Sequence, residues 1–269
     1  MSRYEQLFSN LQSRQEGAFV PFVVVGDYDL AASKRIIRTM IDSGADALEL
    51  GFPFSDPLAD GPTIQNAMDR ALAANVTPAS CFEMIAEIRK DYPDIPVGLL
   101  VYANLVYACG LDSFYRQCQE VGIDSVLIAD VPLAESAPFC QAAKQAQVAP
   151  ILLCPPNIEE SEIAELAEQG QGYTYLLSRA GVTGTNVAAG MPVDHLLQQL
   201  QQHQSPPPLL GFGISQPDHV QKAIQSGAAG VIVGSAIVQR IEKHRPDTAK
   251  VCSELAEFVR EMKKATLAT

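Results

Sequence analysis

Two patterns of apolar positions alternate along this chain. Stretches with hydrophobic residues every three or four positions give way to a glycine, then to a short apolar run without polar alternation. The unit shows in Ser43-Gly44-Ala45-Asp46-Ala47-Leu48-Glu49-Leu50-Gly51. It returns in Val121-Gly122-Ile123-Asp124-Ser125-Val126-Leu127-Ile128-Ala129-Asp130, and again in Ser226-Gly227-Ala228-Ala229-Gly230-Val231-Ile232-Val233-Gly234-Ser235. The glycine stands where a helix end calls for a left-handed residue. A run without alternation predicts a parallel strand buried on both faces.

Eight such strands are predicted, near 18–25, 47–51, 97–102, 125–129, 150–154, 173–177, 209–213 and 230–233. Helical patterns separate them, near 30–41, 78–92, 111–121, 134–147, 158–169, 192–203, 217–226 and 236–244. In the first, Leu30, Ile36, Ile37, Met40 and Ile41 make one apolar stripe, with Lys34, Arg35 and Arg38 turned outward. Further helices are expected at 3–14 and 247–264. Alternating strands and helices imply a parallel sheet, and eight repeats favour its closure into a (β/α)8 TIM barrel, here a single domain over 1–269. The Gln- and Pro-rich stretch 201–208 reads as a surface connection. Two connections exceed ordinary βα loops: 52–75, whose second half predicts an added helix, and 178–191, rich in Gly, Thr and Ala. Both follow strand ends that form the catalytic face of a barrel, and long loops there commonly act as lids.

Composition narrows the partners. The net charge of −12 argues against nucleic acid and anionic membrane surfaces. No apolar run is long enough to span a bilayer, and the polar opening residues are not those of a secretory signal. Cys81, Cys109, Cys118, Cys140, Cys154 and Cys252 follow neither a zinc nor a C-x-x-C spacing. Reduced thiols in a cytoplasmic protein are therefore expected.

Glu49 is the leading candidate for chemistry. It interrupts the apolar run Ala47-Leu48-Glu49-Leu50, and a carboxyl buried in a barrel mouth has a raised pKa suited to acid/base work. An ion pair at the strand end is the alternative, but Arg179 is the only cation expected near a strand C-terminus. Asp56 and Asp60 lie in the long loop beside it. Asp before Pro or Gly is also ordinary turn chemistry, and Asp60 would equally suit a cap for the helix that Pro62 opens. Asp27 and Asp130 also reach the rim. Gly213 ends the seventh strand, and Gly234-Ser235 ends the eighth and opens a helix. Those two loops, with a helix N-terminus, form the usual phosphate site of a barrel, although tight βα turns also use glycine. Gly184 would add an amide from the second long loop.

Absences help. The lysines fall in helical stretches, which argues against a Schiff base on a strand end, and His195, His203, His219 and His244 make no ligand cluster. Carboxylates, with tyrosine hydroxyls such as Tyr102 and Tyr175, remain for proton transfer.

The stretch Leu48-Glu49-Leu50-Gly51-Phe52-Pro53-Phe54-Ser55-Asp56-Pro57-Leu58-Ala59-Asp60-Gly61-Pro62-Thr63-Ile64-Gln65 resembles the signature of the tryptophan synthase α-subunit family. Tyr175-Leu176-Leu177-Ser178-Arg179-Ala180-Gly181-Val182-Thr183-Gly184 and Gly211-Phe212-Gly213-Ile214-Ser215 are similar to its other motifs, and the resemblance covers essentially the whole chain. Two departures stand out: Tyr28 where the family usually has Pro, and the stretch 185–190.

The resemblance implies a lyase that splits indole-3-glycerol phosphate into indole and glyceraldehyde 3-phosphate by a retro-aldol reaction, without metal or Schiff base. By analogy, Glu49 handles protons at indole C3 and the glycerol hydroxyl, Asp60 binds the indole N–H, and Tyr175 positions the substrate. Gly184, Gly213, Gly234 and Ser235 would hold the phosphate. Phe22, Leu100, Leu127, Ala129, Leu153, Phe212 and Ile232 would line the indole pocket. Thr183 and the second long loop would close over Asp60, and Asp56, Arg179 and Thr183 would serve lid closure and signalling. The implied partner is a β subunit carrying pyridoxal phosphate in an α2β2 assembly, with indole passing through a tunnel between subunits; this chain itself would hold no cofactor. A phosphosugar isomerase or synthase on the same barrel, and a non-catalytic activator of a partner, are the rival readings.

Overall fold

A computed structural model describes residues 1–178 and 193–267. Its eight parallel strands close into a barrel in sequence order: β1 (Ala18–Val24), β2 (Leu48–Gly51), β3 (Val97–Val101), β4 (Ser125–Ile128), β5 (Ala149–Cys154), β6 (Thr174–Leu177), β7 (Pro208–Gly211) and β8 (Gly230–Val233). The helices among the described residues are α1 (Arg3–Ser13), α2 (Leu30–Asp42), α3 (Pro62–Ala73), α4 (Pro78–Asp91), α5 (Ala103–Cys109), α6 (Leu111–Val121), α7 (Ala137–Gln145), α8 (Glu160–Gln169), α9 (Asp194–Gln202), α10 (Pro217–Gln225), α11 (Ser235–His244) and α12 (Thr248–Lys264). The expected TIM barrel is thus present, with a leading helix and the added helix α3 in the loop after β2.

Element ends moved by one or two residues at most places. Three differences have local causes. The helix expected at 134–147 divides into a single 3-10 turn at Leu133–Glu135 and α7, because the Ser136 hydroxyl turns back onto the Leu133 carbonyl at 2.7 Å. β7 stops at Gly211 rather than 213, because Phe212 and Gly213 both take left-handed backbone angles (φ 65 and φ 74). α5 forms where only a loop was expected. Asp130, at the end of β4, accepts the Ala103 N–H at 2.8 Å and so holds the first turn of α5.

Strand register places the interior. Phe22 pairs with Glu49 across β1–β2, Glu49 with Gly98 across β2–β3, and Gly98 with Ser125 across β3–β4. Because side chains alternate along a strand, Glu49 faces the barrel axis while Leu48 and Leu50 face the helices. All of β1 and β2 is buried, which accounts for their unbroken apolar runs.

Helix α1 starts at a capping box in which Ser2 and Glu5 satisfy each other's backbone N–H groups. It is stapled to the start of β4 by Asp124. That carboxylate accepts from Arg3 Nη1, Arg89 Nη2 and the Val97 amide, each at 2.8 Å. Arg89 is mostly buried and also donates to the carbonyls of Ile95 and Gly122. Removing the carboxylate strands that guanidinium. Asp124→Ala is therefore expected to cost about 3 kcal/mol, read as a lower urea midpoint with an unchanged slope.

Candidate active site

The strand C-terminal ends surround a cleft. Its walls come from Phe22 on β1, Leu100 on β3, Leu127 and Ala129 at β4, Leu153 on β5, Phe212 after β7 and Ile232 on β8. The seven residues expected from the sequence around an indole all line this one cleft. Ala59, Ile64 and Ile214 join them. These three were not foreseen, because loop and helix residues reach the cleft only through the path of the chain after β2 and β7.

Glu49 lies at depth, 1% exposed. Among the described residues, no cation pairs with it. Its Oε1 accepts from the Tyr173 hydroxyl at 2.8 Å, and the buried Oε2 has no hydrogen-bond partner among the described residues. Burial pushes the carboxyl up to about 8; the Tyr173 bond opposes the rise and nearby Asp60 adds to it. Glu49 is therefore mostly protonated at neutral pH, as a proton donor must be.

Asp60 is 4% exposed and lines the same cleft. It does not cap α3: Gly61 occupies the N-cap position and no side chain caps there. Its Oδ2 instead accepts from Tyr102 at 2.7 Å, and the Tyr102 hydroxyl accepts from the Ala59 amide at 3.2 Å. Gln65 Nε2 donates to the Asp60 carbonyl at 2.8 Å. Burial raises the Asp60 carboxyl to about 6, less the effect of Tyr102. It therefore stays mainly ionised near neutrality. Two carboxyls in one cleft thus differ in charge, which separates a proton donor from a fixed negative charge.

Tyr175 joins the wall from β6, its ring edge-on to Phe212 with centroids 6.3 Å apart. Gly211 makes that placement possible, since a Cβ there would lie 2.3 Å from Tyr175 Cε1. Burial raises the Tyr175 hydroxyl well above its ordinary range. Tyr173, Tyr102 and Gly211 were not singled out from sequence as partners of these groups. Tyr102 is expected from the sequence only as a hydroxyl available for proton transfer, whereas for Tyr175 the family resemblance also implies a substrate-positioning role.

The upper end of the cleft is polar backbone. Gly213, Gly234 and Ser235 line it, with Ser235 the first residue of α11. Phe212 and Gly213, both left-handed, turn the end of β7 sharply, and the Ser178 hydroxyl pins the Phe212 carbonyl at 2.8 Å. A non-glycine left-handed residue is uncommon and clusters at functional loops. Free amides at a helix start beside such a loop suit a phosphate dianion.

Other candidates lie apart. Asp27 is buried outside the cleft in a bidentate pair with Arg70, at 2.6 and 2.9 Å, so it serves structure rather than the rim. Asp130 is the α5 contact given above. Asp56 is exposed, accepts from the Ser55 hydroxyl at 2.5 Å, and does not line the cleft. Arg179, Thr183 and Gly184 lie outside the described residues. Tyr28 takes φ 57, an angle closed to proline, and its hydroxyl lies 3.0 Å from Thr248 Oγ1. Among the described residues, no group of three or more His, Cys, Asp or Glu is disposed to hold a metal. Nor is any helix there long and apolar enough to cross a membrane.

The model of the family described as tryptophan synthase alpha chain matches residues 8–267. The tryptophan synthase alpha chain of Sodalis glossinidius is 60% identical over 266 residues, covering 99% of this chain and 99% of that one. The alpha chain of Escherichia coli K12 is 59% identical with the same coverage. Among solved structures, tryptophan synthase subunit alpha from Legionella pneumophila superposes with a TM-score of 0.87 at 28% identity, covering 99% of this chain and 98% of that one. A chain of the tryptophan synthase a2b2 complex from Pyrococcus furiosus gives 0.81 at 28% identity, covering 92% of this chain and 98% of that one.

Proposed function

The chain belongs to the tryptophan synthase alpha chain family, and from that premise we infer that its cleft cleaves indole-3-glycerol phosphate to indole and glyceraldehyde 3-phosphate. The observation that carries the reading is one apolar cleft with two buried carboxyls, Glu49 and Asp60, at depth and the Gly213, Gly234 and Ser235 backbone at its mouth.

The chemistry follows from that arrangement. The protonated Glu49 carboxyl gives its proton to indole C3, which leaves positive charge on the ring nitrogen. Ionised Asp60, hydrogen-bonded to the indole N–H, stabilises that charge as it develops. The Glu49 carboxylate then takes the proton of the glycerol hydroxyl. The carbon–carbon bond breaks, its electron pair returns to the ring, and the aldehyde leaves. Glu49 ends protonated, so the cycle closes. Phe22, Leu100, Leu127, Leu153 and Ile232 hold the indole, and Tyr175 orients it against the carboxyls. Gly213, Gly234, Ser235 and, from the second long loop, Gly184 hold the phosphate.

The assembly follows the same premise. The partner is a tryptophan synthase β subunit in an α2β2 complex, and pyridoxal phosphate belongs to that subunit. Indole passes to it, with the loop bearing Asp56 and the stretch bearing Arg179 and Thr183 carrying the signal between sites. The setting is cytoplasmic.

Incubation of the chain with indole-3-glycerol phosphate, alone and with a β subunit, is expected to release indole in both cases. No indole in either case would sink the reading. The phosphate assignment has its own test. Gly234→Asp puts a carboxylate at the phosphate position, where like charges repel, and is expected to raise KM about a hundredfold with a smaller change in kcat. An unchanged KM would refute that assignment.

A further inference from the structure

Tyr4 of α1 enters the barrel from the end where the strands begin. Its hydroxyl lies 2.9 Å from the Oγ of Ser125, the first residue of β4. Its ring meets Tyr173 edge-on, with centroids 5.5 Å apart and planes at 63°. Two glycines make room for it. A Cβ on Gly98 would lie 2.6 Å from Ser125 Oγ and 3.2 Å from the Tyr4 hydroxyl, and a Cβ on Gly172 would lie 3.3 Å from Tyr4 Cδ2. Gly172 also takes φ 74, which a side chain would strain. Arg3 and Tyr4 thus grip Asp124 and Ser125, consecutive residues on consecutive residues.

These contacts join the catalytic carboxyl to the barrel floor. Glu49, Tyr173, Tyr4 and Ser125 form a buried file, none of them more than 3% exposed. We infer that Tyr173 and Tyr4 are positioning residues for the lyase reaction: Tyr173 fixes the Glu49 carboxyl, and α1, through the Tyr4 ring, seals the floor beneath it against water. The inference rests on Glu49 acting as the acid and base proposed above.

The two tyrosines act on the carboxyl in opposite senses. The Tyr173 hydroxyl donates to Glu49 and so favours its ionised form, holding down a carboxyl that burial raises to about 8. The Tyr4 ring keeps water out and so favours the protonated form. Among the described residues, the other titratable groups facing Glu49 are few. Asp60, from the loop after β2, raises it. Tyr175, from β6, is itself held neutral by burial. The walls from β1, β3, β4, β5 and β8 present Phe22, Leu100, Leu127, Leu153 and Ile232, none of which titrates.

The test is the pH profile of kcat/KM for indole release by the full chain, with thermal melts run on the same samples. Tyr173→Phe keeps the ring and its volume. It is expected to move the limb belonging to Glu49 upward by about one pH unit, the effect of losing one hydrogen bond to a charged group. Tyr4→Ala is expected to move the same limb downward by letting water reach the carboxyl, whereas Tyr4→Phe leaves it in place. Should Tyr4→Ala not fold, Tyr4→Leu opens a smaller gap and is expected to shift the limb in the same direction. Lower melting temperatures with limbs that overlay the parent would overturn the inference and leave both tyrosines as structural residues. Glu49→Gln is the control on the premise. If it turns over like the parent, the acid/base assignment fails. If it loses turnover while the tyrosine variants keep the parent profile, only the positioning role fails.

Discussion

Glu49→Gln is expected to lower kcat for indole release by about a thousandfold, the middle of the range for a general acid–base group. The substitution isolates the proton. Gln keeps the volume of Glu, and its amide oxygen still accepts from Tyr173, so the cleft keeps its shape. It can neither give a proton to indole C3 nor take one from the glycerol hydroxyl. KM is expected to stay within a few-fold of the parent, because the indole walls and the phosphate backbone are untouched. A single-turnover measurement of indole formation separates the chemical step from release. Turnover within tenfold of the parent would sink the assignment. Stability provides a check with a definite sign. A carboxyl raised to about 8 in the folded chain binds a proton that the unfolded chain gives up near the ordinary glutamate value of 4.5. Its burial therefore costs stability that grows as pH rises through that window and then levels off. Gln carries no such cost. The variant is expected to withstand denaturant better than the parent at pH 9 and about equally at pH 4.

Asp60→Asn is expected to lower kcat by about a hundredfold, as for loss of one group aimed at charge that develops in the transition state. Asn is near-isosteric and still accepts from Tyr102, so the loop from Ala59 to Gly61 should hold its position. What it loses is the negative charge beside the indole nitrogen. That charge matters most after C3 is protonated, so the effect belongs to kcat and not to KM. A raised KM with kcat unchanged would mean that Asp60 contributes ground-state binding alone.

The barrel was legible because its signal is local. The repeated helix–glycine–strand unit and the unbroken apolar strands require no knowledge of tertiary contacts. Glu49 was legible for the same reason, being the single charge in an apolar strand. The partners of the carboxyls were not. Tyr173 lies on the far side of the barrel from Glu49 and 124 residues away, and only closure of the sheet brings them together. Tyr102 meets Asp60 across 42 residues because the loop after β2 folds back over the end of β3. Before that path is known, an Asp ahead of Gly-Pro reads equally well as a helix cap. Gly211 is read from sequence only as a residue of the predicted strand 209–213, whereas its backbone leaves space for the Tyr175 ring. The Asp27–Arg70 pair was missed because a helix interior gives no hint that one of its arginines turns inward. The signalling and lid roles ascribed to Arg179 and Thr183 came from resemblance alone.

The staple between α1 and β4 has a consequence for synthesis. Arg3 and Asp124 are separated by 121 residues, as are Tyr4 and Ser125. A growing chain makes α1 first and its docking site much later, and Tyr173 later still. Until then the helix carries its apolar face, with Tyr4 and Leu11, without a place to bury it. Contacts this distant in sequence form slowly, and exposed apolar surface in the interval invites association with other chains. The segment that completes the floor under Glu49 therefore waits for its seat until β4 and then Tyr173 have been made, and chaperone demand should fall on nascent chains that end before β6.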